Sequence, residues 1–327
     1  MRTIRWGIIG VGNVTEVKSG PALYKARHSS LVAVMRRDGA LAKDYAERHH
    51  VPRWYDNADQ LIHDDDVDVV YIATPPYAHK EYTLKAAQAG KPVYVEKPMA
   101  MNHRECLAMI EACRAANVPL WVAYYRRALP RFLKIKELIE SGAIGDVRSV
   151  NIALYRPPRS DETAPTALPW RVQPELAGGG HFVDLAVHTL DFLDYALGPI
   201  KSVKGFAVNQ AGYYPAEDHV AGTFVFESGA LGSGVWCFSS ARHIDQTIIA
   251  GTKGTLAFST FDTDPLILTV GDQVEQFPID NPEHIQQPLI QSIVDELNGE
   301  GQCPSTGISA ARTTWVTDQL LADYYNR

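Results

Sequence analysis

The sequence predicts an α/β fold in two parts: a parallel sheet interleaved with helices, followed by an α+β domain with an open, mostly antiparallel sheet. Three observations carry this. Strand and helix patterns alternate as far as residue 123. A glycine turn, Gly10-Val-Gly12, joins the first strand pattern to a helix pattern. Beyond Gly198-Pro199, short alternating apolar runs are separated by glycines, the pattern of an antiparallel sheet.

Taken in order, Ile4–Ile9 reads as the first strand and residues 31–35 as the second. Residues 68–73, Asp-Val-Val-Tyr-Ile-Ala, are apolar almost throughout, which marks a strand buried on both faces. Val93–Val95 and residues 120–123 complete the series. Helical spacing is clearest over 40–49, 79–89 and 103–116; in the last, Cys106, Ile110 and Cys113 form a core stripe. After Ala123 the character changes, and the domain boundary is placed there: 1–122 and 123–327. A helix pattern over 130–141 leads to a strand over 147–154. The proline-rich, charged stretch from Arg156 to Pro174 is too long for an idle connector and predicts a functional loop. A helix carrying Asp184 follows. Strands over 202–208, 219–226, 232–238, 245–250 and 255–258 read as an antiparallel meander, closed by a helix over 308–325.

Composition narrows the function. A length of 327 residues suggests two domains, and 46% hydrophobic with 21% charged residues is ordinary for a globular protein. No stretch approaches the roughly 18 apolar residues of a membrane span. The N-terminus runs directly into a strand pattern without a signal-peptide core, so a cytoplasmic location is expected. Four cysteines without C-x-x-C spacing read as idle thiols. The formal charge of −7 leaves no basic footprint for nucleic acid. An anionic ligand must therefore be held by local groups.

Gly10 allows the tight turn after the first strand, and Gly12 lets phosphate oxygens approach the backbone beside Asn13 and Val14 at a helix start. Thr15 stands where a third small residue is usual. The second strand ends on Met35-Arg36-Arg37, and the first acidic residue is Asp38. A carboxylate at this point would grip the ribose hydroxyls of NAD; two guanidiniums suit a 2′-phosphate. NADP(H) is therefore the expected cofactor, with NAD(H) possible. The loop Thr74-Pro75-Pro76 to His79 follows the buried strand, where loops line the ligand crevice, and reads either as a stiff wall of the cofactor site or as a structural turn.

Two further segments carry the chemistry. Val93 to Val95 runs into Glu96-Lys97-Pro98, and Gly178-Gly-Gly180 opens a helix bearing Asp184 and His188 one turn apart. Moving a hydride to or from an alcohol carbon requires a proton to leave or join the oxygen. His188 titrates near neutrality and suits that exchange. Lys97 can donate to the oxygen, and Asp184 can orient the lysine or the substrate. His181-x-x-Asp184-x-x-x-His188 lacks a fourth metal ligand at sensible spacing, and no metal is expected. Tyr124, Arg126, Trp170 and Arg171 line a polar, sugar-like substrate or form a domain-packing cluster.

These motifs in this order resemble the glucose–fructose oxidoreductase / inositol dehydrogenase (Gfo/Idh/MocA) family. The resemblance covers nearly the whole chain: Gly10 and Gly12, Thr74-Pro75 with His79, Glu96-Lys97-Pro98, the Gly-Gly-x-x-x-Asp184-x-x-x-His188 helix, and the late segment Ile249-Ala-Gly-Thr-Lys-Gly-Thr-Leu256. It implies a Rossmann domain, a substrate-binding second domain whose exposed sheet makes a homodimer or homotetramer, and oxidoreductase activity on a sugar, polyol or related small molecule. Glu96 and Lys97 join the cofactor residues on this reading, and Asp184 and His188 the substrate residues. Two other functions belong to this resemblance: an NAD-dependent glycoside hydrolase of the same fold and a non-catalytic cofactor-sensing regulator. The presence of both Lys97 and His188 argues against the regulator.

Overall fold

Six parallel strands form the sheet of the first unit in the computed structural model, which describes residues 1–163 and 168–326. In chain order the elements are β1 (Ile4–Ile9), α1 (Asn13–Val17), α2 (Gly20–Lys25), β2 (Ser29–Met35), α3 (Gly39–Arg48), β3 (Arg53–Tyr55), α4 (Ala58–Ile62), β4 (Val69–Ile72), α5 (His79–Gln88), β5 (Val93–Val95), α6 (His103–Ala115) and β6 (Leu120–Val122). The strand order is β3-β2-β1-β4-β5-β6, every pair parallel. This is the doubly wound dinucleotide-binding order, whose switch point lies between β1 and β4. All four residues of β4 are buried, as its apolar run requires. Asp38, Asn57 and Asn102 start α3, α4 and α6 by accepting backbone N–H groups at their N-termini.

The helix expected after the glycine turn is two short ones. Gly20-Pro21 restarts the chain, and a Cβ on Gly20 would lie 2.1 Å from the Thr15 carbonyl oxygen and 2.2 Å from the Tyr45 hydroxyl.

The second unit holds α7 (Pro130–Glu140), β7 (Val147–Tyr155), α8 (Ser160–Thr163), α9 (Pro174–Ala177) and α10 (His181–Leu197). Its later strands are β8 (Ile200–Val208), β9 (His219–Phe226), β10 (Leu231–Cys237), β11 (Ile244–Gly251), β12 (Gly254–Phe258), β13 (Leu266–Val270) and β14 (Gln273–Phe277). They build an eight-stranded sheet in the order β14-β13-β12-β11-β7-β10-β9-β8. The simple meander read from the sequence is thus corrected: β7 enters the middle of the sheet, parallel to β10 and antiparallel to β11. The rest is antiparallel, as expected. Phe192 of α10 meets Phe132 of α7 and Phe258 of β12 edge-on, at centroid distances of 4.9 and 5.9 Å, and Phe182 meets Trp236 of β10 at 5.0 Å. α10 is therefore buried along most of its length, and the polar side chains it buries there stand out. The expected loop from Arg156 to Pro174 contains α8 and a 3-10 turn, Trp170–Val172; its residues 164–167 lie outside the described residues.

Two more helices follow, α11 (Gln287–Leu297) and α12 (Gly307–Tyr325). Internal contacts assign 1–129 and 282–311 to the first unit, and 130–281 and 312–327 to the second. A single boundary at residue 122 makes no provision for this return. The returning segment is bonded into the first sheet: Ser305 Oγ donates to the Val122 carbonyl at 2.7 Å, and the Tyr94 hydroxyl donates to Gln286 Oε1 at 2.8 Å. In the second unit, Arg312 of α12 forks onto Asp194 of α10, and Leu320 rests where Gly205 and Gly222 leave room for it. No helix among the described residues is long and apolar enough to cross a membrane.

Candidate active site

The first unit brings Gly10, Gly12, Thr74, Pro75, Glu96 and Lys97 to the carboxyl ends of β1, β4 and β5, with Arg36 and Arg37 after β2 and Tyr124 and Arg126 after β6. Gly10 has φ +95°, and a Cβ there would lie 2.7 Å from Thr74 Cγ2, so the glycine turn and the Thr74-Pro75 loop meet edge to edge. A Cβ on Gly12 would meet nothing within 4 Å. Thr15 does not disturb the turn; its buried hydroxyl accepts from the Gly12 N–H at 2.9 Å. Arg36 and Arg37 are exposed at the end of β2, Arg36 donating to the Val11 carbonyl at 3.2 Å and Arg37 to the Tyr77 hydroxyl at 3.3 Å. The Asp38 carboxylate is engaged by the N–H groups of Ala40 and Leu41. Thr74 Oγ1 is buried with no hydrogen-bond partner among the described residues. A backbone cradle that excludes a Cβ, an open glycine beside it and an unsatisfied hydroxyl fit a dinucleotide.

His79 is fully buried. One ring nitrogen lies 2.7 Å from the Thr74 carbonyl oxygen, and the other 3.1 and 3.2 Å from those of Pro98 and Met99. Burial pushes the ring's pKa down, against the pull of these carbonyls. Its side chain is thereby spent on joining the Thr74 loop to the segment after Lys97. Glu96 is also buried: Oε1 accepts from the Tyr71 hydroxyl and from Gln286 Nε2, both at 2.6 Å, and Oε2 from the Lys97 N–H at 3.2 Å. Burial, with the Glu96 charge beside it, holds the Tyr71 phenol far above its ordinary pKa, so it remains a donor. Lys97 follows β5 on this braced segment, half-buried. Tyr124 and Arg126 are buried in this unit, Arg126 with its guanidinium 5.1 Å from the Tyr125 ring centroid.

In the second unit α10 presents Asp184 and His188 one turn apart. Arg171, its guanidinium stacked on Trp170 at 4.4 Å, lies 3.3 Å from Asp184. His188 is buried and meets the Phe261 ring edge-on at 5.8 Å; Arg156 covers that same ring at 4.8 Å. The structure thus joins Trp170 and Arg171 to Asp184, from ten to fifteen residues away, which local spacing cannot show. Arg156, Glu162 and Phe261 were missed by sequence reasoning, because nothing in their immediate neighbours sets them apart.

The sequence pattern of the oxidoreductase family with an NAD-binding Rossmann fold, Gfo/Idh/MocA, matches residues 4–124, and that of its C-terminal domain matches residues 132–257. Identity to Oxidoreductase P35 of Formosa agariphila is 41% over 315 residues, covering 96% of this chain and 97% of that one. The chain belongs to the Gfo/Idh/MocA family. This oxidoreductase is also 29% identical over 325 residues to trans-1,2-dihydrobenzene-1,2-diol dehydrogenase of Danio rerio, covering 98% and 94% of the two chains. Its fold matches the crystal structure of aldose–aldose oxidoreductase from Caulobacter crescentus complexed with glycerol, with a TM-score of 0.87, 25% identity and coverage of 100% and 99%. A nicotinamide-dependent dehydrogenase or reductase of CH–OH groups is what such a chain encodes.

Proposed function

We propose that this oxidoreductase exchanges a hydride between NADP(H) and a secondary alcohol or ketone of a sugar or polyol, with Lys97 and His188 acting on the same oxygen. The observation that carries the reading is α10, which sets a titratable imidazole one turn from a carboxylate braced by Arg171. A bound nicotinamide supplies the hydride in reduction and takes it up in oxidation. The protein handles the oxygen. In reduction, Lys97 Nζ donates a hydrogen bond to the carbonyl oxygen as charge develops there, and His188 gives it a proton; oxidation returns that proton to His188. Asp184 orients the alcohol. His79 and Glu96 hold the Lys97 segment in place from below.

The preference for NADP(H) is supported by Arg36 and Arg37 standing exposed while Asp38 is committed to capping α3. The relatives' names, which mention a dihydrodiol and an aldose, support a hydroxylated small-molecule substrate. A cytoplasmic location, and a homodimer or homotetramer formed through the second unit's sheet, complete the reading; Phe206 and Leu231 are 78% and 60% exposed on that sheet. The test is a panel of aldoses, ketoses, inositols and dihydrodiols with NADPH, NADH and their oxidised forms, followed at the nicotinamide absorbance. No activity with any member, or equal use of NADH, would overturn the corresponding part.

A further inference from the structure

Beside the first turn of α10 lies a cavity of about 100 Å³ whose polar lining is Arg156, Arg159, Glu162, Arg171, His181 and Asp184. The hydride and proton chemistry above uses only Asp184 of this set, with Arg171 bracing it. Yet Glu162 and His181 are a buried pair, 2% and 7% exposed, with Oε1 and Nε2 2.7 Å apart. A carboxylate and an imidazole are costly to bury unless each satisfies the other. Here the chain places α8 so that they do.

The pair is also oriented. Tyr214 meets the His181 ring edge-on at 6.0 Å, and Phe238 lies against it at 5.4 Å, which fixes the ring plane. Burial by itself would raise the Glu162 carboxyl, but the hydrogen bond from His181, with the backbone N–H and the guanidinium charge of Arg159 behind it, holds it below the usual carboxylate range. An ionised Glu162 accepts only, so Nε2 carries the N–H. The other nitrogen, Nδ1, makes no hydrogen bond to any described residue, while the ring lines the cavity. A carboxylate behind an imidazole strengthens the far nitrogen as an acceptor. Arg171 beside it offers N–H donors. One acceptor and one donor around a small space are what a hydroxyl group needs.

His181, Asp184 and His188 lie at i, i+3 and i+7, hence on one face of α10, with His181 and His188 about 10 Å apart along the axis. Two hydrogen bonds of about 2.8 Å and the gap between neighbouring hydroxyls span most of that distance, and the side chains supply the rest. We propose that the Glu162–His181 pair is a specificity site that holds a second substrate hydroxyl, on the carbon adjacent to the one oxidised. The substrate is then a vicinal diol or its α-hydroxyketone. Glu162 is the positioning residue; His181 makes the contact. The proposal rests on the assignment of Lys97 and His188 above.

The test compares kcat/KM for trans-cyclohexane-1,2-diol and cyclohexanol with NADP⁺, in the wild type, His181→Asn and Glu162→Gln. The wild type should prefer the diol by about tenfold or more, since a site built for a hydroxyl rejects the analogue lacking it. His181→Asn should bring the ratio to within about threefold, and Glu162→Gln should give an intermediate ratio. NADPH binding to each variant, read by fluorescence titration, reports that the protein is folded. A wild type that oxidises both compounds equally or neither, or a folded His181→Asn that keeps the full ratio, overturns the proposal. Should either variant fail to fold, the wild-type ratio and the other variant decide. Undiminished activity in Lys97→Ala and His188→Ala would instead sink the catalytic reading beneath it.

Discussion

The carboxylate of Glu217 accepts a hydrogen bond from the N–H of Gly180 at 2.8 Å, and Glu217 is fully buried. Gly180 is the residue from which α10 starts, so a side chain 37 residues further along the sequence fixes the entry to the helix carrying Asp184 and His188. Glu217 is held in turn by the Tyr325 hydroxyl at 2.5 Å. The glycines before α10 have a steric reason: a Cβ on Gly180 would lie 2.7 Å from the Glu217 carbonyl oxygen and 2.8 Å from Ala216 Cβ.

Gly180→Ala should therefore destabilise the second unit by about 2 kcal/mol, the cost of forcing a methyl group into a packed site. A melt followed by circular dichroism should show its transition lowered by several degrees. An unchanged melt would mean that residues 216–217 yield without cost.

Lys97→Ala and His188→Ala should each lower kcat by about a hundredfold or more, because each removes a group that meets the oxygen in the transition state. The dissociation constant for NADPH should change less than about threefold for His188→Ala. Stopped-flow single turnovers separate the two effects. A variant whose loss lies wholly in KM would refute the assigned role.

Arg36→Ala and Arg37→Ala should raise the KM for NADPH by about tenfold each, the value of a charge-assisted hydrogen bond to a phosphate, and leave that for NADH nearly unchanged. A parallel loss with both cofactors would show that the arginines only brace the turn.

Acid should expose a separate dependence. Glu16 accepts from Arg48 at 2.8 and 2.9 Å and lies 2.9 Å from His49, and chiefly through Arg48 its carboxyl is lowered to about 2. A carboxyl lowered on folding adds stability above its unfolded pKa near 4.5, and loses that contribution as the pH falls towards 2. Because the pair is largely solvated, the contribution at neutral pH is no more than about 1 kcal/mol. Urea midpoints of Glu16→Gln and wild type should differ at pH 7 and converge by pH 2. A constant gap across that range would rule the ion pair out as its source.

Much of the first unit was legible because its signals are local. The continuous apolar run of β4 needs no partner to be recognised, and Gly10, Thr74 and Lys97 each sit at a strand end where residue type reports backbone geometry. Three-residue β3 was not legible, nor was β14, whose side chains are nearly all exposed and so leave no hydropathy pattern. The placement of β7 between β10 and β11 depends on strands joined across some 80 to 100 residues, and no local period encodes such a pairing. For the candidate site, the Asp184–His188 spacing was readable because one helix turn sets it. Arg171 against Asp184, Glu162 against His181 and Glu217 against Gly180 are tertiary pairings, visible only when the chain is folded.

The return of residues 282–311 to the first sheet bears on how the protein is made. A nascent chain that has emerged only as far as β6 has all six parallel strands but lacks Gln286, so Glu96 and Tyr94 hold buried polar groups without their partner. Translation must pass most of the second unit before that partner arrives. A fragment ending at residue 129 should consequently expose the apolar surface that Leu289, Ile290 and Ile293 of α11 cover, and resist isolation, despite containing every strand of its sheet.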